Sequence, residues 1–249
     1  MTPTTNNQVP IDPYYVNGEF FKISSGEKDA EYKVNQLANL MLDSLPTFRF
    51  TNGRVADVGC GTGKTTFLLK DMLEKYFNSP IFIDGYDIHP ALPKLKSDNV
   101  NFYTRDFISI DHNLIYDLVV LFDVIEHVIN PMEFLSEVSK HTKYVGLHIP
   151  LDDSFFTWTR NIPRKNLTHP GHLSIFNSAS AINLITNSGL RIIDFSYSPV
   201  FKAPSGAETK TQIMTNPIRS IFYNLSPYIT QKFLGGVSLI IIAATKYGL

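Results

Sequence analysis

The chain has 249 residues, 43% of them hydrophobic and 18% charged, a globular rather than a disordered composition. Its 22 basic and 23 acidic residues leave a net charge of −1, which excludes a global electrostatic pull toward nucleic acid or anionic membrane and leaves only a local patch. The single cysteine, Cys60, excludes an intramolecular disulfide and fits a reducing compartment, so a cytoplasmic location is expected.

The first two dozen residues are polar, with Pro and aromatics interleaved. They read as an arm without the basic and apolar regions of a signal peptide, and Tyr14 and Tyr15 on it are expected to fold over a ligand. Val34, Leu37, Leu40, Met41 and Leu45 then recur at helical spacing, which predicts an amphipathic helix ending before Pro46. Five short apolar runs follow as strands, at 54–59, 81–88, 100–107, 116–124 and 143–150, with helices near 64–77, 90–97 and 131–141. Strands alternating with helices of this size imply right-handed crossovers and a mostly parallel sheet covered on both faces.

Two more strands are expected at 191–199 and 236–246. Before the first of them, Asn177 or Ser178 caps a helix over 179–188 that stops at Gly189. The run "VSLIIIAA" at 237–244 is far too short to cross a bilayer and suits a buried strand; no membrane partner is expected. The whole chain, 1–249, is read as one domain, with an arm and helix over 1–45. The segments 151–176 and 200–235 are insertions on the substrate side.

The stretch "VADVGCGTGKTT" at 55–66 decides the kind of ligand. A phosphate-gripping loop needs Gly, four residues, then Gly-Lys-Ser/Thr, and the position that requires the first Gly holds Val58. What remains is Asp57 with Gly59, Gly61 and Gly63 between a strand and a helix, where glycine allows a tight turn and close ligand approach. Asp87, at the end of the second strand, offers a carboxylate that accepts two hydrogen bonds from a ribose diol. On the glycines alone a dinucleotide site competes.

Taken together, "ADVGCGTG", "GYDIHP", "YTRDF" and "LFDVIEHV" resemble the successive ligand-binding loops of the class I S-adenosylmethionine-dependent methyltransferases, in order and over roughly residues 30–200. The resemblance implies a Rossmann-like, doubly wound seven-stranded sheet with an antiparallel last strand. It implies S-adenosylmethionine as cofactor, released as S-adenosylhomocysteine. Asp57 and the glycines would face the methionine part, Asp87 the ribose, Ile88 the adenine, and Asp106 with Phe107 the adenine edge. Asp123 would sit where cofactor meets acceptor. The dehydrogenase alternative has no counterpart for the Asp123 loop.

Methyl transfer from a sulfonium is an in-line displacement, so the protein contributes alignment and removal of a proton from a hydroxyl or ammonium acceptor. His148, His169 and His172 are the candidate bases. Phe155, Phe156 and Trp158 suggest an apolar acceptor wall, and Arg160, Arg164 and Lys165 an anion contact. A second reading joins Asp123, Glu126 and His127 with His169 or His172 as oxygen and nitrogen ligands for a divalent ion. That set resembles, in part, ubiquinone-pathway O-methyltransferases and small-RNA 2′-O-methyltransferases. The favoured expectation is a metal-free transferase acting on oxygen or nitrogen of a small molecule, without nucleic acid. An RNA 2′-OH acceptor and a non-catalytic binding subunit are the alternatives.

Overall fold

The computed structural model describes residues 26–45, 48–51, 53–89, 97–111, 114–168 and 170–248. The arm with Tyr14 and Tyr15, the helix expected at 90–97 save for its last residue, and His169 lie outside the described residues.

Helix α1 (Gly26–Ser44) forms because Ala30, Val34, Leu37 and Met41 make one buried stripe along it. Strand β1 (Arg54–Val58) leads through the glycine loop into α2 (Lys64–Phe77), then β2 (Phe82–Asp87), β3 (Val100–Thr104) and β4 (Tyr116–Phe122). Helix α3 (Pro131–Val138) starts with Pro131 at its first position and the Asn130 side chain accepting from Glu133 N–H. Beyond β5 (Thr142–Pro150) come two short helices, α4 (Phe155–Thr159) and α5 (Ile162–Thr168), and then α6 (Ser178–Asn187), capped by Asn177 as expected. The chain ends with β6 (Arg191–Ser198), α7 (Lys210–Leu225), α8 (Pro227–Phe233) and β7 (Ser238–Ala244).

The seven strands form one sheet in the order β3-β2-β1-β4-β5-β7-β6. Strands β1 to β5 pair in parallel, and β7 runs antiparallel to both β5 and β6, as the sequence resemblance implied. Period-two alternation sends Val58, Leu121 and Leu147 to one face, against α3 and α6. Val55, Val120 and Ile242 face the other side, against α1 and α2. Strand β7 is buried along its whole length, which explains its run of apolar residues.

Strands β3 and β4 stop two or three residues earlier than the apolar pattern suggests. Asp106 leaves the ladder to cap a 3₁₀ turn, and Asp123 adopts a left-handed backbone, φ 54°. These breaks fall at the carboxyl ends of the strands, beside the point where strand order reverses between β1 and β4 and where open α/β sheets bind ligands. Among the described residues, no helix is long and apolar enough to cross a membrane.

Candidate active site

The carboxyl ends of β1, β2, β4 and β5 open into a cleft of about 1220 Å³, room for a nucleoside and a second small molecule. Its first wall is the glycine loop. Gly59, Gly61 and Gly63 all have positive φ, and a Cβ on Gly59 would stand 2.5 Å from Val124 Cγ2. The Gly59 and Cys60 N–H groups both donate to the Tyr86 carbonyl, at 2.8 and 3.1 Å, so the loop folds over the end of β2. Burial pushes the Cys60 thiol far up, which leaves it a small core filler.

Gly59 and Gly61 line the cleft, while Asp57 and Gly63 do not. The buried Asp57 carboxylate instead accepts from the Thr65 and Thr66 hydroxyls at 2.9 and 2.7 Å, tying the loop to the start of α2. Burial raises its pKa to about 6 against the pull of those two hydroxyls. In this arrangement Asp57 ties the loop to α2 from behind the cleft lining.

Asp87 closes β2 and lines the cleft. Its carboxylate accepts from Gly61 N–H at 2.8 Å and from His89 N–H at 2.9 Å, which fixes it at the mouth of the glycine loop. The neighbouring Ile88 is exposed on the same wall. Asp106 accepts from Ile108 N–H at 3.2 Å, and Phe107 is buried against the Tyr86 and Tyr116 rings while still bordering the cleft.

At the cleft floor Asp123 gathers two partners from distant elements. Lys33 Nζ of α1 lies 2.5 Å from Oδ2, and His148 Nδ1 of β5 contacts Oδ1. Pairing of β4 with β5 brings them together, for Phe122 is opposite His148 and Asp123 N–H donates to the His148 carbonyl at 3.1 Å. Burial alone would raise the Asp123 carboxyl, but the Lys33 ammonium and the His148 ring outweigh it and hold it well below the usual carboxylate range. Burial would lower the Lys33 pKa, and Asp123 reverses that. His148 is 2% exposed, and its Nε2 has no hydrogen-bond partner among the described residues.

Lys33 was not anticipated from sequence. Its signal was there, however: Asp29 and Lys33 adjoin the apolar stripe of α1, where charge is out of place unless it is paired. Asp29 is also buried and accepts from the Ser205 backbone N–H at 2.9 Å.

A second cluster lies alongside. The Glu126 carboxylate is buried, and neither of its oxygens has a hydrogen-bond partner among the described residues; Oε1 lies 4.0 Å from His127 Nε2. Burial, reinforced by Asp123, pushes this carboxyl well above its ordinary range. His127 Nδ1 rests 3.1 Å from the Gly171 carbonyl, and His172 Nδ1 lies 3.1 Å from Asp152 Oδ2. One ligand atom from each of Glu126, His127 and His172 falls within 4.8 Å of the others. Burial and the neighbouring His172 lower the His127 pKa to about 4, so its ring is neutral at pH 7. Asp123, expected as a fourth member, is engaged by Lys33 and His148 instead. Asp152 was not anticipated as the residue that orients His172.

The expected acceptor wall is placed differently. Phe155, Trp158 and Arg160 are exposed and do not line the cleft. A capping box between Ser154 and Thr157 turns those two polar side chains inward, which leaves Phe155 and Trp158 facing out. The apolar outer lining comes from Ile129, Phe134, Leu167, Leu173 and Val200.

Comparison with known proteins gives a consistent picture. The family model described as "Methyltransferase domain" matches residues 29–194. Among solved structures, a putative sarcosine dimethylglycine methyltransferase from Galdieria sulphuraria is similar, with a TM-score of 0.61 at 14% identity, covering 94% of this chain and 97% of that one. The plantazolicin methyltransferase, solved with a monoazolic desmethyl analogue and S-adenosylhomocysteine, gives 0.59 at 16% identity over 93% and 92% of the two chains. An S-adenosylmethionine-dependent methyltransferase from Archaeoglobus fulgidus gives 0.53 at 20% identity over 94% and 100%. No curated protein matches the sequence significantly.

Proposed function

Since this chain belongs to the class I S-adenosylmethionine-dependent methyltransferases, we propose that it methylates an oxygen or nitrogen of a small molecule, with His148 as the base. The observation that carries the choice of base is the Asp123–His148 pair at the cleft floor. A carboxylate against Nδ1 holds the ring in the tautomer whose Nε2 accepts a proton. His172 also has a carboxylate at Nδ1, that of Asp152, but its ring lies 4.9 Å from that of His127 in the second cluster rather than beside the Lys33–Asp123 pair.

Bound S-adenosylmethionine supplies an electrophilic methyl group on a sulfonium that leaves as a neutral thioether. Gly59 and Gly61 admit the amino-acid tail, Asp87 takes the ribose diol, and Ile88 with Asp106 and Phe107 takes the adenine. Lys33 keeps Asp123 ionised, Asp123 orients His148, and His148 Nε2 removes the acceptor's proton. The unbroken sheet from β1 to β7 supports a single domain for the chain. Similar structures solved with small substrates support a small-molecule acceptor.

Titration calorimetry with S-adenosylhomocysteine and with NAD tests the cofactor. Binding of the sulfur nucleoside, weakened at least about tenfold by Asp87→Ala, is expected; NAD binding without it overturns the reading. Transfer of labelled methyl to a panel of phenols, sugars and amines finds the acceptor. His148→Gln should then lower turnover about 10²-fold with S-adenosylhomocysteine affinity unchanged. Unchanged turnover refutes the base.

The Glu126 carboxylate, without a hydrogen-bond partner among the described residues, favours a second reading, in which a divalent ion is held by Glu126, His127 and His172. The donor set fits: each ring meets a backbone or carboxylate oxygen through Nδ1, which directs Nε2 to the ion, and the buried carboxylate gains a counter-charge. When bound, such an ion would hold vicinal oxygens of a catechol-like or ribose acceptor. Activity lost in EDTA and restored by Mg²⁺, Mn²⁺ or Zn²⁺, but not in Glu126→Gln, is required by this reading.

A further inference from the structure

We propose that the outward face of α7, α8 and α4 docks on the surface of an anionic phospholipid bilayer. Helix α7 is built inside out for a protein surrounded by water. Its inward residues are polar and bonded: Asn216 donates to the Phe201 and Gly206 carbonyls at 2.9 Å each, and Gln212 to the Ser205 carbonyl at 3.1 Å. Arg219 reaches the Leu234 carbonyl at 3.3 Å, and the Tyr223 hydroxyl donates to the Tyr197 carbonyl. The outward residues are Ile213, Met214, Ile218, Ile221, Phe222 and Leu225, with Met214 77% and Leu225 78% exposed. Ordinary surface helices show the opposite pattern.

Helix α8 repeats the inversion. Thr230 and Gln231 are buried, and Tyr228, Ile229 and Phe233 are exposed. Helix α4 joins them, for Gln231 Nε2 donates to the Asp153 carbonyl at 3.0 Å and the Arg219 guanidinium lies over the Phe156 ring at 5.7 Å. Phe155 and Trp158 extend the apolar face from there. One inverted helix is a curiosity of packing; three that pack together make a surface with a purpose.

Charge selects the occupant. Although the chain is almost neutral, residues 209–249 contain four basic side chains and no acidic one. Lys210 and Lys232 flank the apolar residues of α7 and α8, and Arg160, Arg164 and Lys165 stand exposed beside α4. Aliphatic and aromatic residues ringed by Lys and Arg are the chemistry of a helix lying in an anionic lipid interface, half in the acyl boundary and half against headgroups. A second copy of the same face would bring like charges together. The opposite, inward side of α7 reaches the cleft through Gln212. Docking needs no membrane-crossing helix, and it stands whatever the methyl acceptor is.

The test is flotation of the full chain with phosphatidylcholine vesicles, with and without phosphatidylglycerol, while following the emission of the lone tryptophan, Trp158. Binding at least about tenfold stronger to the anionic vesicles, a blue shift of Trp158 and weakening by salt are expected. The Lys210→Glu/Lys232→Glu pair should abolish the anionic preference. The Ile221→Ser/Leu225→Ser pair should lower binding about tenfold or more, with S-adenosylhomocysteine affinity and melting unchanged as proof of folding. Absence of binding to anionic vesicles, or full binding by the serine pair, overturns the proposal. So does a dimer that the serine pair dissolves while vesicles are ignored, which would give the face to a second copy or another protein.

Discussion

Replacing Asp123 by Asn isolates the charge that joins Lys33 to His148. Asn keeps the size of the side chain and tolerates the left-handed backbone at this position, so the change is electrostatic. Lys33 keeps 11% of its side chain exposed and His148 2%, and both lose an ionised partner. Breaking a sealed ion pair costs about 3–5 kcal/mol. Because the Asp123 side chain remains 29% open to the cleft, screening reduces the expected loss to about 2 kcal/mol. That corresponds to a melting shift of about 4–8 °C for a domain of this size.

Urea unfolding of the two proteins at a series of pH values measures it. The Asp123 pKa is depressed in the folded state, so its stabilisation is complete above the unfolded value of about 4 and is lost as pH falls below it. The gap between wild type and variant should therefore be constant from neutral pH down to about pH 5 and shrink in acid. In a Lys33→Met background the same substitution should cost at least about 1 kcal/mol less. Turnover should fall about 10²-fold, because the imidazole loses its ionised acceptor and an amide N–H can hold Nδ1 in the opposite tautomer. A loss below about 0.5 kcal/mol at pH 7 would refute the electrostatic argument, as would strict additivity with Lys33→Met.

Other substitutions test the walls of the cleft. Asp57 has a raised folded pKa of about 6, so wild-type stability should decline as pH rises from about 4 to 6, by up to about 3 kcal/mol, and then level off; Asp57→Asn should remove that slope in pH-dependent melts. Gly85→Ala places a Cβ 2.7 Å from the Phe102 ring and 3.0 Å from Cys60 Sγ, and overpacking of this kind should cost about 1–3 kcal/mol in urea. Glu126→Gln substitutes a neutral amide for a buried carboxyl that has no hydrogen-bond partner among the described residues. Chelator-treated protein should become more stable at pH 8 by about 1 kcal/mol or more, while any metal-induced rise in melting temperature disappears. A variant that still shows the metal-induced rise contradicts the ligand set.

Much of the architecture follows from local rules. Short apolar runs marked the seven strands, and the helical spacing of Val34, Leu37 and Met41 marked α1, because burial of an element leaves its pattern in the sequence. Glycines at 59, 61 and 63 announced a tight turn, which has positive φ, and Asp87 marked the end of the second strand, whereas β3 and β4 stop before Asp106 and Asp123, inside the runs expected as strands. Such features depend on neighbours a few residues away. The partners of those acids do not: Lys33 is 90 residues from Asp123 and His148 is 25, and only the order of strands in the sheet brings them together.

The same distinction separates the histidines and the aromatics. His148 and His172 look alike as residues near strand ends, and both meet an Asp through Nδ1; what differs is the surroundings, Lys33 joining Asp123 at one and the His127 ring packing against the other. Phe155 and Trp158 read from sequence as a pocket wall, yet two inward-turned polar side chains of α4 put them on the outside. Sequence by itself determined the order of the elements, the mostly parallel sheet and the glycine turn after its first strand. Tertiary structure alone decided which charges meet and which apolar faces are left open, because both depend on contacts between segments that the chain keeps far apart.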